Sequence, residues 1–203
     1  EMLKDKIKNC HTFNNITKNA SMDVILANTI KGLNKFLSKK KIDLIVVHGD
    51  RVESLAGAIC GCLNNIKVAH IEGGEISGTV DEILRHSISK LSHLHFVTNK
   101  IAKNRLLQMG ESSNDIFVIG SPDVDIILKN DLKISSVKKE YNINFKDYAI
   151  CIFHPVTTEI SKIEYQIDSL FKTLKKSKFN YVIILPNNDH GSEIILNKIR
   201  IYK

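Results

Sequence analysis

The segment IDLIVVHGDRVESLAGAICGCLNNIKVAHIEGGE, residues 42–75, decides the fold of this chain. Residues 42–47 and 67–71 are short apolar runs, rich in β-branched side chains, as is typical of buried strands. Between them, residues 53–63 predict a helix whose small side chains let it pack closely on a sheet. A strand, a helix and a second strand joined by short loops favour a right-handed unit with parallel strands.

The same alternation extends along the chain in both directions. Before this segment, a helix is predicted from Ser21 to near Lys40. After it come predicted helices at 81–91 and 100–109 and predicted strands at 95–98 and 116–119. A polar, lysine-rich stretch then interrupts the pattern. A second unit follows, with predicted strands at 148–153 and 181–185, each followed by a helix.

This pattern predicts an α/β fold with two parallel sheets. We expect a first domain over residues 1–124, a connection over 125–147, and the start of a second domain over 148–203. One unit of two strands and two helices cannot cover both faces of a sheet, and the first domain lacks a leading strand-helix unit. We therefore expect the chain to be part of a longer two-domain protein.

The composition excludes several classes of protein. The formal net charge is +7, but the lysines are scattered over predicted helix surfaces without interleaved aromatic side chains. This argues against nucleic acid as a partner and is compatible with a small anionic substrate. No apolar run approaches the roughly 20 residues that cross a membrane, and no secretory signal is recognisable, so we expect a cytoplasmic protein without a membrane partner. No cluster of His, Cys and carboxylate side chains has the spacing of a metal site.

Polar side chains follow the first two predicted strands, at the edge where open parallel sheets bind ligands. Asp50 could have a catalytic role, could cap the helix that follows, or could do both. Arg51 either binds phosphate or lies on the surface. Glu72 ends the second strand, where burying an unpaired acid is costly, and this favours a functional role. Gly73 and Gly74 would let the backbone approach a ligand closely.

The next predicted helix carries further charged side chains close to this edge. Asp81 and Glu82 begin the helix, where they either act in the site or complement the helix dipole. Arg85 lies one turn later, on the same helix face as Asp81, and the two could simply pair. Both interpretations stay open from the sequence.

Two histidines are further candidates. His154 follows the first strand of the second unit, before a predicted helix N-terminus capped by Thr157 or Thr158, a position that favours anions. His70 lies within a predicted strand and is either a buried core residue or a catalytic one. No P-loop and no Gly-x-Gly-x-x-Gly fingerprint is found, so ordinary P-loop and dinucleotide enzymes lose support.

Taken together, these motifs resemble the hydrolysing UDP-N-acetylglucosamine 2-epimerase family. The resemblance covers nearly the whole chain and rests on GDR (49–51), HIEGGEISGT (70–79), DE-x-x-RH (81–86), GSPD (120–123) and HPVTT (154–158). The non-hydrolysing epimerases typically have Gly-Asp-Thr at the first of these places and His-x-Glu-Ala-Gly-Leu-Arg at the second. Arg51 and the run of Gly73, Gly74 and Glu75 therefore indicate the hydrolysing branch.

The resemblance implies a GT-B-like architecture of two Rossmann-like domains with a nucleotide sugar in the cleft between them. The positions that match catalytic or active-site residues are Asp50, Glu72, Asp81 and His154. The residues expected to bind the substrate are Arg51, Gly73, Gly74, Glu82, Arg85, Ser121 and Thr157. No cofactor and no metal is implied, and we expect the full-length protein to form a homo-oligomer.

The implied reaction converts UDP-N-acetylglucosamine and water to N-acetylmannosamine and UDP, which feeds sialic acid synthesis. Elimination of UDP gives a glycal, and water then adds with inversion at C2. Two alternatives stay open: the same chemistry on a UDP- or GDP-linked 2,4-diacetamido-2,4,6-trideoxyhexose of the legionaminic acid route, and nucleotide-sugar binding without catalysis. A GT-B glycosyltransferase has less support. Which carboxylate is base, acid or cation stabiliser also stays open.

Overall fold

The computed structural model describes residues 9–17, 20–187 and 191–202, without the side chains of residues 157 and 158. The chain divides into two compact units, unit 1 over Glu1–Lys129 and unit 2 over Asn130–Lys203. The predicted domain extents of 1–124, 125–147 and 148–203 stay a prediction. No helix among the described residues is long and apolar enough to cross a membrane.

Unit 1 alternates helices and strands, as predicted. Its helices are α1 (Met22–Leu37), α2 (Val52–Leu63), α3 (Val80–Lys90), α4 (Lys100–Gln108) and α5 (Pro122–Leu128). Its strands are β1 (Leu44–His48), β2 (Lys67–Ile71), β3 (Leu94–Val97) and β4 (Ile116–Val118), with a short 3₁₀ helix, Ser113–Asp115, before β4. Each element that the sequence predicts here is present, with bounds that differ by a few residues.

The four strands of unit 1 form one parallel sheet in the order β1-β2-β3-β4. Val47 in β1 is the register partner of His70 in β2, which in turn is the partner of His95 in β3. Because the strands are parallel neighbours, their carboxyl ends lie along one edge of the sheet, which we call the carboxyl edge. The residues that follow each strand are therefore brought to this edge.

Helix α2 packs on the sheet through small residues, as its composition predicts. A Cβ atom on Gly57 would lie 2.8 Å from Val47 Cγ1, and one on Gly61 would lie 2.3 Å from Val68 Cγ2. Because protein interiors are close-packed, any larger side chain at these positions would push the helix off the sheet. The buried core at this contact consists of Val47, Ala58, Val68 and Ile88.

Unit 2 contains a smaller parallel sheet. Its elements are α6 (Ile134–Glu140), β5 (Ala149–Ile152), a 3₁₀ segment (Thr157–Lys162), α7 (Ile163–Ser177), β6 (Tyr181–Ile184) and α8 (Ser192–Tyr202). Strands β5 and β6 pair in parallel, and the buried core consists of Ile163, Ile167, Phe171 and Ile195. Ile150 and Ile152 of β5 are exposed, as expected where helices cover only one face of a sheet.

The start of α7 differs from the prediction. Residues 157–162 form the 3₁₀ segment, and α7 begins only at Ile163, with Lys162 at the N-cap and no side-chain capping hydrogen bond. Glu159 has φ −123° and ψ 33°, so the backbone leaves the helical region within the 3₁₀ segment, before α7 begins. The predicted helix N-terminus capped by Thr157 or Thr158 is therefore wrong.

Candidate active site

Arg85 joins the ends of β1 and β2 at the carboxyl edge. From helix α3, its Nη2 atom forms an ion pair with Asp50 Oδ2, and its Nη1 atom lies 3.5 Å from the backbone carbonyl oxygen of Glu72. Only 14% of the Arg85 side chain is exposed, so salt screens this pair less than a surface pair. Asp50, Glu72 and Arg85, which the sequence predicts as site residues, thus form one group that we call the Arg85 cluster.

The Arg85 cluster resolves two alternatives that the sequence leaves open. The N-cap residue of α2 is Arg51, so Asp50 does not cap this helix. Arg85 pairs with Asp50 and not with Asp81, whose carboxylate accepts a hydrogen bond of 3.1 Å from the Thr79 hydroxyl. The contact that holds Asp50 is therefore made between elements far apart in the chain.

Glu72 has a backbone conformation that residues other than glycine rarely adopt. Its φ is +65°, and a left-handed backbone at such a residue costs about 1–3 kcal/mol. The neighbouring strand holds it in place, because the Glu72 N–H donates to the Phe96 carbonyl oxygen at 2.8 Å. Glu72 Oε2 lies 3.0 Å from His48 Nε2. His48 thus contacts a predicted site residue, and it was not itself among the predicted site residues, although its place at the end of β1 was an available signal.

Gly73 and Gly74 are glycines because of protein packing. A Cβ on Gly73 would lie 2.8 Å from Ser89 Oγ, and a Cβ on Gly74 would lie 2.5 Å from the Ala102 carbonyl oxygen. Gly74 also has φ +77°, which L side chains rarely adopt. Atoms of the protein itself occupy the space that a side chain would need at both positions. The sequence suggests a different reason, namely close approach of the backbone to a ligand. Their predicted role in substrate binding stays a prediction.

The loop after β2 is tied to β3 and α4 by residues that the sequence analysis did not single out. The Thr98 hydroxyl donates to the Glu75 carboxylate, and Asn99 Nδ2 donates to the same carboxylate at 3.2 Å. The Arg105 guanidinium donates to the Gly74 carbonyl oxygen. These contacts fix the loop that carries Glu72 from the side opposite β1.

Glu82 holds the loop before α3. Its Oε2 atom accepts hydrogen bonds from the backbone N–H groups of Gly78 at 2.8 Å and Ser77 at 3.0 Å. These two N–H groups hold the pKa of the Glu82 carboxyl below its usual value. The contacts give Glu82 a structural role, and its predicted contact with substrate stays a prediction.

The remaining predicted site residues are spread over both units. In unit 1, Arg51 Nε lies 3.4 Å from Glu53 Oε2, and Ser121 follows β4 as the N-cap of α5. Since β4 is two strands from β2, about 10 Å separate these strand axes. In unit 2, His154 is exposed and follows β5. Thr157 begins the 3₁₀ segment, and its side chain lies outside what the structure describes.

Helix α3 also carries two buried nitrogen atoms, Arg85 Nε and His86 Nδ1, that lack a hydrogen-bond partner among the described residues. Buried polar groups are normally paired, so these atoms are available to a bound ligand or to water. Over the described ranges, no group of three or more His, Cys, Asp and Glu side chains could hold a metal ion. The carboxyl edge thus offers carboxylates for proton transfer and an arginine for an anionic group.

The sequence matches a known enzyme family. The family model described as UDP-N-acetylglucosamine 2-epimerase matches residues 4–203, and the chain belongs to this family. The resemblance that the sequence motifs carry is therefore confirmed at the level of the family.

Named relatives show the same relationship. The chain is 42% identical over 204 residues to the UDP-N-acetylglucosamine 2-epimerase of Neisseria meningitidis serogroup B, covering 100% of this chain and 54% of that protein. It is 36% identical over 188 residues to the UDP-N,N'-diacetylbacillosamine 2-epimerase (hydrolyzing) of Legionella pneumophila, covering 91% of this chain and 50% of that protein. The chain spans about half the length of the curated relatives that it matches.

A solved structure supports the fold class. The crystal structure of UDP-GlcNAc 2-epimerase from Neisseria meningitidis bound to UDP-GlcNAc has a TM-score of 0.78 to this chain at 27% sequence identity. The similarity covers 100% of this chain and 58% of that structure. The predicted α/β, GT-B-like fold class with parallel sheets is confirmed.

Proposed function

We propose that the complete protein encoded with this chain is a hydrolysing 2-epimerase that converts UDP-N-acetylglucosamine and water to N-acetylmannosamine and UDP. The observation that carries the proposal is the Arg85 cluster, in which Asp50 and Glu72 are held at the ends of neighbouring strands by one arginine. The proposal is also supported by the run of Gly73, Gly74 and Glu75, because this run resembles the hydrolysing branch.

The chemistry requires both acids and cations. The hydrogen at sugar C2 is only weakly acidic, but breaking the C1–O bond creates an oxocarbenium-like centre that makes it easier to remove. The bonding electrons leave with UDP, a carboxylate takes the C2 proton, and a glycal with a C1–C2 double bond remains. Water then adds its hydroxyl to C1, and C2 is protonated on the opposite face, which gives the inverted sugar.

Residues of this chain match these requirements. Asp50 and Glu72 are proposed as proton-transferring or cation-stabilising carboxylates, and Asp81 as a third. Arg85 and Arg51 are proposed to stabilise the charge that develops on the leaving diphosphate. His154 of unit 2 is proposed to act in the same reaction, from the resemblance of its HPVTT motif (154–158).

A second substrate is favoured by one observation. The Legionella pneumophila relative is named for UDP-N,N'-diacetylbacillosamine and is 36% identical to this chain. The elimination and hydration steps are the same for this sugar, which differs in its groups at C4 and C6. The contacts that would distinguish C4 and C6 substituents therefore decide between the two substrates.

The test is product analysis with the protein encoded by the complete reading frame. It is incubated separately with UDP-N-acetylglucosamine and with UDP-N,N'-diacetylbacillosamine in deuterated water, and the products are followed by proton NMR. We expect free 2-epimerised sugar, UDP and deuterium at C2 from one of the two substrates. Reversible formation of UDP-N-acetylmannosamine without free sugar would overturn the hydrolysing assignment. Binding without turnover would favour a non-catalytic nucleotide-sugar-binding protein.

A further inference from the structure

His70 is a fully buried histidine directly beneath the Arg85 cluster, and both of its ring nitrogens have partners. Nε2 lies 2.8 Å from the backbone carbonyl oxygen of Gly49, which directly follows β1 and precedes Asp50. Nδ1 lies 3.0 Å from the Ser89 hydroxyl oxygen in α3. One ring therefore links the end of β1 to the helix that carries Arg85.

The hydrogen-bonding groups fix the tautomer of His70. A carbonyl oxygen only accepts hydrogen bonds, so Nε2 carries the proton and donates it to Gly49. Nδ1 is then an acceptor, and the single proton of the Ser89 hydroxyl is shared between two acceptors, His70 Nδ1 at 3.0 Å and the Arg85 carbonyl oxygen at 3.1 Å. Burial of the ring is the main reason why the pKa of His70 is lowered to about 4, so the ring is neutral near pH 7.

The ring has little freedom to move. A Cβ atom on Gly73 would lie 3.0 Å from His70 Nδ1 and 2.8 Å from Ser89 Oγ, so the backbone after Glu72 closes directly over this hydrogen bond. His70 is completely buried, and it is therefore shielded from any substrate at the carboxyl edge. A role in the reaction must consequently be exerted through the residues that it holds.

We infer that His70 is a positioning residue that sets the geometry of the Asp50–Arg85 pair from both sides. Through the Gly49 carbonyl it holds the turn that presents Asp50, and through Ser89 it holds the turn of α3 that presents Arg85. Its effect on turnover rests on the proposed function, whereas its effect on the Gly49 turn does not.

A neighbouring histidine provides a matched control. His95 is the register partner of His70 on β3 and is also buried. Its Nε2 atom, however, lies 3.2 Å from Glu111 Oε2, and Lys90 Nζ lies 2.7 Å from the other carboxylate oxygen of Glu111. His95 has the residue type, the strand position and the burial of His70, but it lacks the contacts with Gly49 and Ser89.

The experiment compares H70L, H70Q and H95Q in the complete protein. Leucine leaves the Gly49 carbonyl without a donor, whereas the amide nitrogen of glutamine reaches the position of Nε2 and restores it. Because a misplacement of about 1 Å costs about 100-fold in rate, we expect H70L to lower kcat by about 100-fold with KM within about threefold. We expect H70Q to recover at least about tenfold of that loss and H95Q to change kcat by less than about twofold.

Hydrogen exchange measured by mass spectrometry supplies a readout that does not depend on turnover. We expect the peptide covering residues 47–56 to exchange at least about tenfold faster in H70L than in H95Q, because its turn has lost a hydrogen bond. Equal exchange of this peptide in both variants would overturn the inference, even if the wild type showed no turnover. Equal losses of kcat in H70L and H95Q, or no recovery in H70Q, would overturn it as well. A wild type that binds nucleotide sugar without turnover contradicts only the proposed function.

Discussion

The strand ends of the two units differ in how their polar side chains are held. In unit 1, Asp50 is paired with Arg85, Glu72 lies beside His48, and Glu75 accepts hydrogen bonds from two residues that follow β3. In unit 2, His154 follows β5 in an exposed position, and no hydrogen bond of its ring is found among the described residues.

Predicted site residues of unit 1 such as Asp50 are held by neighbouring side chains, whereas His154 of unit 2 is not held in this way by any described residue. The side chains at the carboxyl edge of unit 1 are preorganised, because contacts within the same unit fix them before any ligand arrives. His154 has no such support within the part of the chain that the structure describes. Substitutions in unit 1 should therefore affect both geometry and chemistry, whereas a substitution of His154 should affect chemistry alone.

The largest expected effect concerns the carboxylates of unit 1. We expect D50N and E72Q in the complete protein each to lower kcat/KM by about 100-fold to 10,000-fold, because a proton-transferring or charge-stabilising group is lost. The measurement is release of free sugar and UDP. The matched control is D131N, which changes an exposed aspartate of unit 2 and should leave the rate unchanged. Turnover at the wild-type rate in both D50N and E72Q would remove the Arg85 cluster from the reaction.

The next effect concerns the packed loop after β2. We expect G74A to lower the free energy of unfolding by about 3 kcal/mol, because its φ is +77° and the new Cβ would lie 2.5 Å from the Ala102 carbonyl oxygen. G110A is the control: φ there is +87°, but nothing lies within 4 Å of the added atom. In G110A, backbone strain alone should lower the free energy of unfolding by about 1 kcal/mol. Urea unfolding measures the stability of both variants. Equal losses in G74A and G110A would show that the structure relaxes around the added atom at Gly74.

The pH dependence of stability should reveal the buried ring of His70. Its pKa in the folded protein is about 4, against 6.5 for an unperturbed histidine, chiefly because it is buried. Between these values the unfolded state binds more protons, so the free energy of unfolding should fall as the pH falls from 6.5 to 4, by about 3 kcal/mol in all. Urea unfolding at several pH values should show this loss in the wild type and a smaller one in H70Q. The same dependence of the free energy of unfolding on pH in both proteins would contradict the lowered pKa of His70.

The smallest effect on stability is expected in unit 2. H154A should change the free energy of unfolding by less than about 0.5 kcal/mol, because the side chain is exposed. Turnover of the complete protein should nevertheless fall by about tenfold or more if His154 stabilises developing charge. Wild-type turnover in H154A would exclude this histidine from the site. A large loss of stability would show that its surroundings hold it as firmly as those of unit 1 hold Asp50.

Much of the fold could be predicted from local patterns. The apolar runs at 42–47 and 67–71 indicated strands, and the small residues of α2 indicated a close contact that Gly57 and Gly61 confirm. The prediction failed at residues 157–162, where a threonine-rich sequence suggested a capped helix. Local preferences are weak and tertiary context often overrides them. The backbone leaves the helical region at Glu159, so local sequence could not locate the start of α7.

Part of the candidate site could also be predicted. Asp50, Glu72 and Arg85 were expected at one edge because strand ends converge in a parallel sheet, and the structure brings them together. Arg105 was missed because its contact is with the distant loop after β2, whereas His48 could have been noticed from its place at the end of β1. The reason why Gly73 and Gly74 must be glycines was also hidden, since Ser89 and the Ala102 carbonyl oxygen lie far along the chain.

The sequence by itself determined the alternation of strands and helices, the strand-end motifs and the family, because each of these depends on neighbouring residues in the chain. Only the tertiary structure decided which partner each group takes. Arg85 could pair with Asp81 one turn away, yet it pairs with Asp50, which lies 35 residues away. The packing of β1, β2 and α3 around the buried ring of His70 makes that choice, because it brings the two charges together where the chain alone keeps them apart.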